Sequence, residues 1–585
     1  MQTAAENNLL YKRPLWYYIK NNPRAFGLGM LFLLLTNALD GVYPLIMKAA
    51  IDQIESQAPL GAIGKTCLIF LAIMSGLAIT RYGWRANFGR FHTYAAEHIR
   101  QKIFRHITSL GPNFFHKNPV GELMSLLTND VQSFRQAIGP GLLILADGII
   151  IIAVNLPIMI SLNWGWTWKT LVFLPVVPFL IWKVMRLIHL NYKIQQDRFS
   201  ELTGVAQETV GGIRVIKSFA QEKNRTDLFN GVSAAFEKAC NKVARVDSFF
   251  IPVMEFGVTS GSVILLFVAK DDLYSGAVTL GTFVAFHRYI QKMVWPMTAL
   301  GMGFSNFQKG YASFDRIKDV LQTETDIPDQ GTINIEKFQT LEFKNVSFKH
   351  RDSSVYVLKN VSFTLKAGES LGIMGPVGSG KTTLLHLLTR MYPLEEGQIL
   401  INGHPIESIT QESLHRTFLL VPQEAFLFSE SISDNLSFGL TERASDPEIQ
   451  RMTEIVDLTR EIDSLPHKFE SQLGERGVNL SGGQKQRLTI ARGIIMKTPV
   501  LVLDDSLSAV DTRTEKAIEQ ELRKNHGAMS RIIVAHRLSS LKGVDHILIL
   551  KEGQVEAWGT FDQVLQQSPT FQKTVQIQGK GDHHE

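Results

Sequence analysis

Cysteine is nearly missing from this 585-residue chain: only Cys67, in an apolar run, and Cys240, in a helical stretch, are present. Two distant thiols exclude a disulfide framework and a thiolate zinc cluster, and they read as inert. Blocks of Lys and Arg are missing too. The net charge of +5 is spread thinly, which argues against nucleic acid as a partner and fits basic loops facing anionic lipid. No tandem repeat is present, and no low-complexity tract beyond a short polar tail at 576–585. A cleaved leader is not expected, because the first apolar run starts late and carries Asp40, Pro44 and Lys48.

The length predicts at least two domains. Hydrophobic residues at 45% and charged residues at 20% look ordinary, but they are unevenly distributed. Apolar runs near 26–50, 66–84, 141–163, 167–188, 248–269 and 276–300 are six candidate spans, each near the ~20 residues a membrane helix needs. The connections after the second and fourth are long and basic, with Arg90, Arg105 and Lys117, then Lys193, Arg214 and Arg245. The short connections hold little beyond Lys65, Lys169 and Lys270. This bias places both long connections and both termini in the cytoplasm of a multi-pass protein. Residues 1–24 include Leu9–Lys20, whose mix of Trp, Tyr and Lys suits an interfacial helix. A transmembrane domain over 25–319 follows, then a polar Pro/Gly-bearing linker at 320–338 and a water-soluble α/β domain at 339–575. The expected fold class is a six-helix transmembrane domain fused to an α/β P-loop ATPase domain.

Leu371–Thr383 reads as a strand running into a glycine-rich turn and then a helix. The turn comprises Gly375, Pro376, Val377, Gly378, Ser379, Gly380, Lys381, Thr382 and Thr383. Glycines let backbone N–H groups close around phosphates, and the helix N-terminus adds positive potential. Lys381 is placed to reach the β/γ-phosphates and Thr382 to ligate magnesium. Val500–Asp505 is an apolar strand ending in two carboxylates, which puts Asp504 beside that magnesium. Together these motifs make nucleotide hydrolysis the default chemistry, with ATP and Mg2+ required.

Leu480–Gln484 (LSGGQ), followed by a helix, narrows the class. Ser481, Gly482, Gly483 and Gln484 at a helix N-terminus form a second phosphate cradle. The segment resembles the signature of ATP-binding-cassette proteins, and the chain is identified with that family's exporters, in particular MdlA-type half-transporters. The resemblance implies that each signature faces the phosphate loop of a second subunit, so one loop and one signature per chain require a dimer. It also assigns Gln423 to magnesium and to sensing the membrane domain, Ser508–Asp511 to communication across the dimer through Asp511, and His536 to the γ-phosphate. Gly474–Gly477, Phe114–Leu123 with Thr128–Val131, and Gly211–Phe219 resemble segments that couple the membrane and motor domains.

Two positions depart from the family pattern. Asp505 stands where most members carry a glutamate general base, and its carboxylate is one methylene short. Misplacement of about 1 Å can cost about 100-fold in rate, so this chain's own site is expected to be slow and the pair to be a heterodimer. His350 stands where an adenine-stacking tyrosine is usual, with Tyr356 as the other candidate. In the spans, Asp147 and Glu255 are ionisable groups at membrane depth. They either line a cavity for a hydrophobic or amphipathic cationic substrate or pair with Arg81, Arg288 or the partner. The expected function is ATP-driven export across the cytoplasmic membrane. A homodimeric lipid flippase, a peptide exporter and an exporter-shaped importer stay open as alternatives.

Overall fold

The computed structural model describes residues 8–171, 176–351, 353–474, 477–508, 510–525 and 529–579. The chain divides into two compact units, Met1–Thr108 with Val120–Thr323, and Ser109–Pro119 with Glu324–Glu585.

Helices build the first unit. α1 (Pro14–Asn21) and α2 (Pro23–Glu55) each start with proline, whose missing N–H costs nothing in a first turn. α3 (Leu60–Ile107) follows, then α4 (Pro112–Lys117), which belongs to the second unit. The chain returns in a continuous helical stretch, Val120–Leu162, ending in α5 (Leu142–Leu162). Next come α6 (Trp164–Leu171), α7 (Val176–Gly211), α8 (Ile213–Ser218), α9 (Glu222–Asp247), α10 (Phe250–Tyr274) and α11 (Leu280–Leu321).

The expected spans fall on these helices, apart from residues 172–175 of the fourth, which lie outside the described residues. Among the described residues four helical stretches are long and apolar enough to cross a membrane: Pro23–Glu55, Leu60–Ile107, Val120–Leu162 and Glu222–Tyr274. The sixth candidate lies in α11, where His287, Arg288, Gln291 and Lys292 dilute the apolar run. α1 covers most of the stretch Leu9–Lys20 expected to form an interfacial helix. Its Tyr17 and Tyr18 turn inward, with the Tyr18 hydroxyl 3.2 Å from His98 Nδ1, while Trp16 stays exposed.

Polar residues on α11 repair a defect in α2. Pro44 has no N–H to give the carbonyl of Asp40 four residues back. Lys292 Nζ donates to that carbonyl instead and also pairs with the Asp40 carboxylate at 2.6 Å. Tyr289 Oη donates to the neighbouring Gly41 carbonyl at 2.6 Å. In a membrane, where no water can satisfy a freed carbonyl, such donors lock two helices together. Lys292→Met is therefore expected to cost about 1.5–3 kcal/mol, the scale of a hydrogen bond to a charged group. The measurement is the melting temperature of the detergent-purified protein, and an unchanged value would remove this role.

The second unit contains β1 (Thr340–Lys349), β2 (Tyr356–Lys366), β3 (Ser370–Met374), β4 (Glu396–Ile401), β5 (His404–Pro405), β6 (Phe418–Val421), β7 (Val500–Asp504), β8 (Ser530–Val534), β9 (His546–Lys551) and β10 (Gln554–Gly559). They form an antiparallel sheet of order β2-β1-β4-β5 and a six-stranded sheet of order β10-β9-β3-β8-β7-β6. The latter is parallel except for β10. Its strands β3 and β7 are buried throughout, as runs without polar breaks must be when both faces are covered. The helices that matter for the site are α12 (Lys381–Leu388), α13 (Gly482–Ile495), α14 (Thr512–Asn525) and α15 (Pro569–Gly579).

The predicted linker is not a free tether. Between the end of α11 and the start of β1, Ile333 bridges Ile409, Asp329 Oδ1 accepts from Gln411 N (3.1 Å), and Ile335 N donates to Ser413 Oγ (2.7 Å). Those contacts lay the stretch along the second unit.

Candidate active site

Parallel register decides where the functional residues meet. β3 pairs with β8 and β8 with β7, with Ile373 and Asp504 both opposite Val534, while Val421 of β6 lies opposite Leu503. Four strands thus end at one level. The segments that follow them, from Gly375, Gln423, Asp505 and His536, converge at the C-terminal edge of the sheet. One cleft there is lined by Val357, residues 377–383, Gln423, Asp504, Asp505, Val534 and His536.

The loop after β3 needs its glycines. A Cβ on Gly375 would lie 2.1 Å from the Leu550 carbonyl oxygen, and Gly378 and Gly380 adopt φ of +80° and +96°. Lys381 folds back over the loop, donating from Nζ to the carbonyls of Gly375 and Pro376 at 2.9 Å each. Its ammonium is thus held at the mouth of the ring that backbone N–H groups close. Burial pushes the Lys381 pKa down, against the pull of Asp505 and Asp504. Burial pushes the Asp504 carboxyl up, while a hydrogen bond from Thr382 Oγ1 (3.3 Å) opposes the shift. A buried lysine beside two carboxylates in a cleft is an arrangement typical of a functional site. Asp505, in the left-handed region at φ +46°, accepts from Gln423 Nε2 at 3.2 Å.

Other predicted site residues lie elsewhere. Ser481 caps α13 in a capping box: its Oγ accepts from Gln484 N (3.3 Å), and its own N–H donates to Gln484 Oε1 (2.9 Å). Ser481–Gln484 do not line the cleft of their own chain. Neither does Asp511, which accepts from Arg513 N and Thr514 N at the start of α14; the Thr514 N–H holds its carboxyl below the usual range. His350 is outside the cleft lining as well, its ring edge-on to Phe348 and Tyr392 at 5.2 and 5.3 Å. The alternative, Tyr356, donates its hydroxyl to Glu396 Oε1 (2.6 Å). Residues 475 and 476, within the predicted coupling segment Gly474–Gly477, and residue 509, within Ser508–Asp511, lie outside the described residues.

Several participants escaped the sequence reading. Gln486 donates from Nε2 to the Gln423 carbonyl (3.1 Å), tying the signature helix to the glutamine loop. Arg537 donates to the carbonyls of Ser508 and Val510 (3.1 Å each), tying the histidine loop to Ser508–Asp511. Gln486 lies two residues past the signature and Arg537 next to His536, and that adjacency was the available signal. Asp326 had none: it accepts from Asn113 of α4 (3.0 Å) and from Arg351 (2.8 Å). The segment 109–119 therefore belongs with the ATPase unit although its flanks belong to the helical one. Asp130, in the quoted Thr128–Val131 motif, is buried and ion-paired to Arg316 of α11.

In the helical unit, the proposed pairing of Asp147 or Glu255 with Arg81 or Arg288 is corrected. Asp147 accepts from Asn37 Nδ2 (2.9 Å) and Trp295 Nε1 (3.3 Å), both neutral donors. Arg81 lies 3.6 Å from Asp40 instead, and Arg288 donates to Gln291 Oε1 (3.1 Å). Glu255 is exposed. Cys67 is an exposed and Cys240 a half-buried free thiol.

Long apolar helices and a phosphate-loop cleft on one polypeptide define an ATP-driven membrane transporter. The chain belongs to the ATP-binding-cassette transporter family. The family model for the ABC transporter transmembrane region matches residues 26–297, and the model described as ABC transporter matches 358–508. Among relatives, the probable multidrug resistance ABC transporter ATP-binding/permease protein YheI of Bacillus subtilis is 32% identical over 97% of both chains. The multidrug resistance-like ATP-binding protein MdlA of Buchnera aphidicola is 34% identical over 95% of this chain and 96% of its own. A bacterial Atm1-family ABC exporter solved with ATP bound shares the fold, with a TM-score of 0.78 and 24% identity over 95% of this chain and 99% of that one. The protein is thus a membrane-embedded half-transporter of exporter fold that binds nucleotide, couples ATP hydrolysis to transport and works as a dimer.

Proposed function

We propose that this chain is one subunit of a heterodimeric exporter that moves hydrophobic or amphipathic small molecules out across the cytoplasmic membrane, with its ATPase unit and both termini in the cytoplasm. The observation that carries the reading is the cleft that gathers Lys381, Asp504, Asp505, Gln423 and His536 in a chain with long apolar helices. ATP binding draws two such units together, each signature completing the other's site, and turns an inward-facing cavity outward. Hydrolysis and phosphate release reset it.

The cleft suits magnesium. Thr382 Oγ1 and the buried Asp504 carboxylate, 3.3 Å apart, and the Gln423 amide oxygen are hard oxygen donors, and phosphate and water oxygens ordinarily complete that ion's shell. Bound there, the ion would neutralise charge on the transferred phosphoryl group. Lys381 holds the β/γ-phosphates, His536 senses the γ-phosphate, and Asp505 is a short-armed base in a slow site. Exclusion of Ser481–Gln484 from the cleft of their own chain supports completion by a second subunit. So do the exposed Val210, Ile213, Val215 and Phe219 around α8, an apolar coupling face in need of cover.

Asp147 and Glu255 remain the proposed contacts for a cationic amphiphile. Among the described residues Asp147 takes its hydrogen bonds from the neutral donors Asn37 and Trp295, which leaves its charge for a ligand. Asp147→Asn is expected to lower substrate-stimulated ATPase several-fold while basal ATPase holds, since the carboxamide oxygen keeps the 2.9 Å bond from Asn37 and only the longer 3.3 Å one from Trp295 Nε1 is given up with the charge. ATPase assays of the reconstituted pair with cationic and neutral amphiphiles test both the residue and the export reading. Equal loss of basal and stimulated rates would make Asp147 structural.

A further inference from the structure

The histidine loop is held from an unexpected side. Gln578, in the last turn of α15, straddles it with one carboxamide: Nε2 donates to the His536 carbonyl and Oε1 accepts from Leu538 N, both at 2.9 Å. Two bonds of opposite polarity, spaced as between paired strands, fix the peptide groups on both sides of Arg537. Arg537 reaches the other way, to the Ser508 and Val510 carbonyls, and lies 3.7 Å from the buried Glu515. The loop carrying the cleft's imidazole is therefore clamped between α15 and the segment after β7.

α15 is a firm support. Phe571 is fully buried against Phe561, and Thr570 Oγ1 donates to Glu556 Oε1 on β10 at 3.0 Å. A loop residue without such a clamp would sample many backbone states and lose that freedom each time it is ordered. Held in advance, the imidazole needs no reorganisation when charge arrives.

We propose that Gln578 is a positioning residue that sets the His536 imidazole for the γ-phosphate, so that the C-terminal helix controls how this chain's site tells ATP from ADP. The inference rests on the reading of the cleft as an ATP site. His536 is the group placed to meet the third phosphate, whereas Lys381 and the loop N–H groups meet the phosphates that ATP and ADP share. Loosening the clamp should thus weaken ATP and spare ADP.

The test uses the full-length chain in its purified complex, photolabelled with an azido-ATP analogue; ATP or ADP competes, and the label is read on this chain's band. Gln578→Ala is expected to raise the ATP concentration for half-competition about tenfold, the scale of one or two lost hydrogen bonds, with ADP competition within about twofold of the parent. The near-isosteric Gln578→Glu keeps the acceptor for Leu538 N but faces the His536 carbonyl with an oxygen, and should give at least the same loss. Unchanged ATP competition in both variants overturns the proposal. Equal weakening of ATP and ADP also overturns it, making Gln578 a packing residue. Lys381→Ala, run in parallel, should lose both nucleotides; if it does not, the reading of the cleft has failed rather than the clamp.

Discussion

Ser481→Arg is expected to cut the steady-state ATPase of the purified pair by at least about 100-fold, the scale on which one pre-set donor to a developing anion acts, while Asp505→Asn changes it by less than about threefold. Ser481 caps α13 with its Oγ on Gln484 N, and the residue is exposed. An exposed N-cap at a helix of this length presents free N–H groups and positive potential outward. A guanidinium there removes the capping hydroxyl and fills the cradle, and the damage falls on the partner's site. Asp505 lines its own cleft, where its shortened side chain already accepts from Gln423. If Asp505→Asn abolishes turnover as fully as Ser481→Arg, Asp505 is a working base and a homodimer becomes the better reading.

Lys381→Ala is expected to weaken nucleotide binding at this chain's cleft by about 10–100-fold, equivalent to one charged hydrogen bond of about 1.5–3 kcal/mol. The ammonium is buried and anchored on the Gly375 and Pro376 carbonyls. Removing it takes the ammonium donor from the Gly375 and Pro376 carbonyls, of which Pro376 keeps Ser379 N at 3.2 Å, and takes a counter-charge from the two carboxylates. Equilibrium titration with a fluorescent ATP analogue reads the change, and Lys381→Arg should restore little because a planar fork does not fit a site cut for a point charge. Parent-like affinity in Lys381→Ala would remove the phosphate-loop assignment.

The chemistry was legible because its motifs are local. A strand, glycines and a lysine within about one helical turn of each other specify a phosphate loop wherever the chain carries them, and Gly375–Thr383 folds as that spacing predicts. The apolar runs were legible for the same reason, since a membrane helix satisfies its own backbone. Asp147, by contrast, was read without its neighbours. Its donors, Asn37 and Trp295, lie 110 and 148 residues away, and no spacing rule reaches that far.

From sequence alone came the two-domain plan, the phosphate loop, the carboxylate strand, the signature and the need for a second subunit. Tertiary structure decided which strands lie side by side. Strand β8, which follows β7 in sequence, inserts between β3 and β7 and so carries His536 to the phosphate loop. It also decided that Lys292 belongs to Asp40 behind Pro44, that Asp326 joins α4 to Arg351, and that Gln578 grips the histidine loop. The division has one physical cause. A motif encodes chemistry through short-range backbone geometry, whereas a contact between distant residues exists only after burial has chosen which surfaces meet, and many sequences of the same pattern bury the same surfaces with different partners.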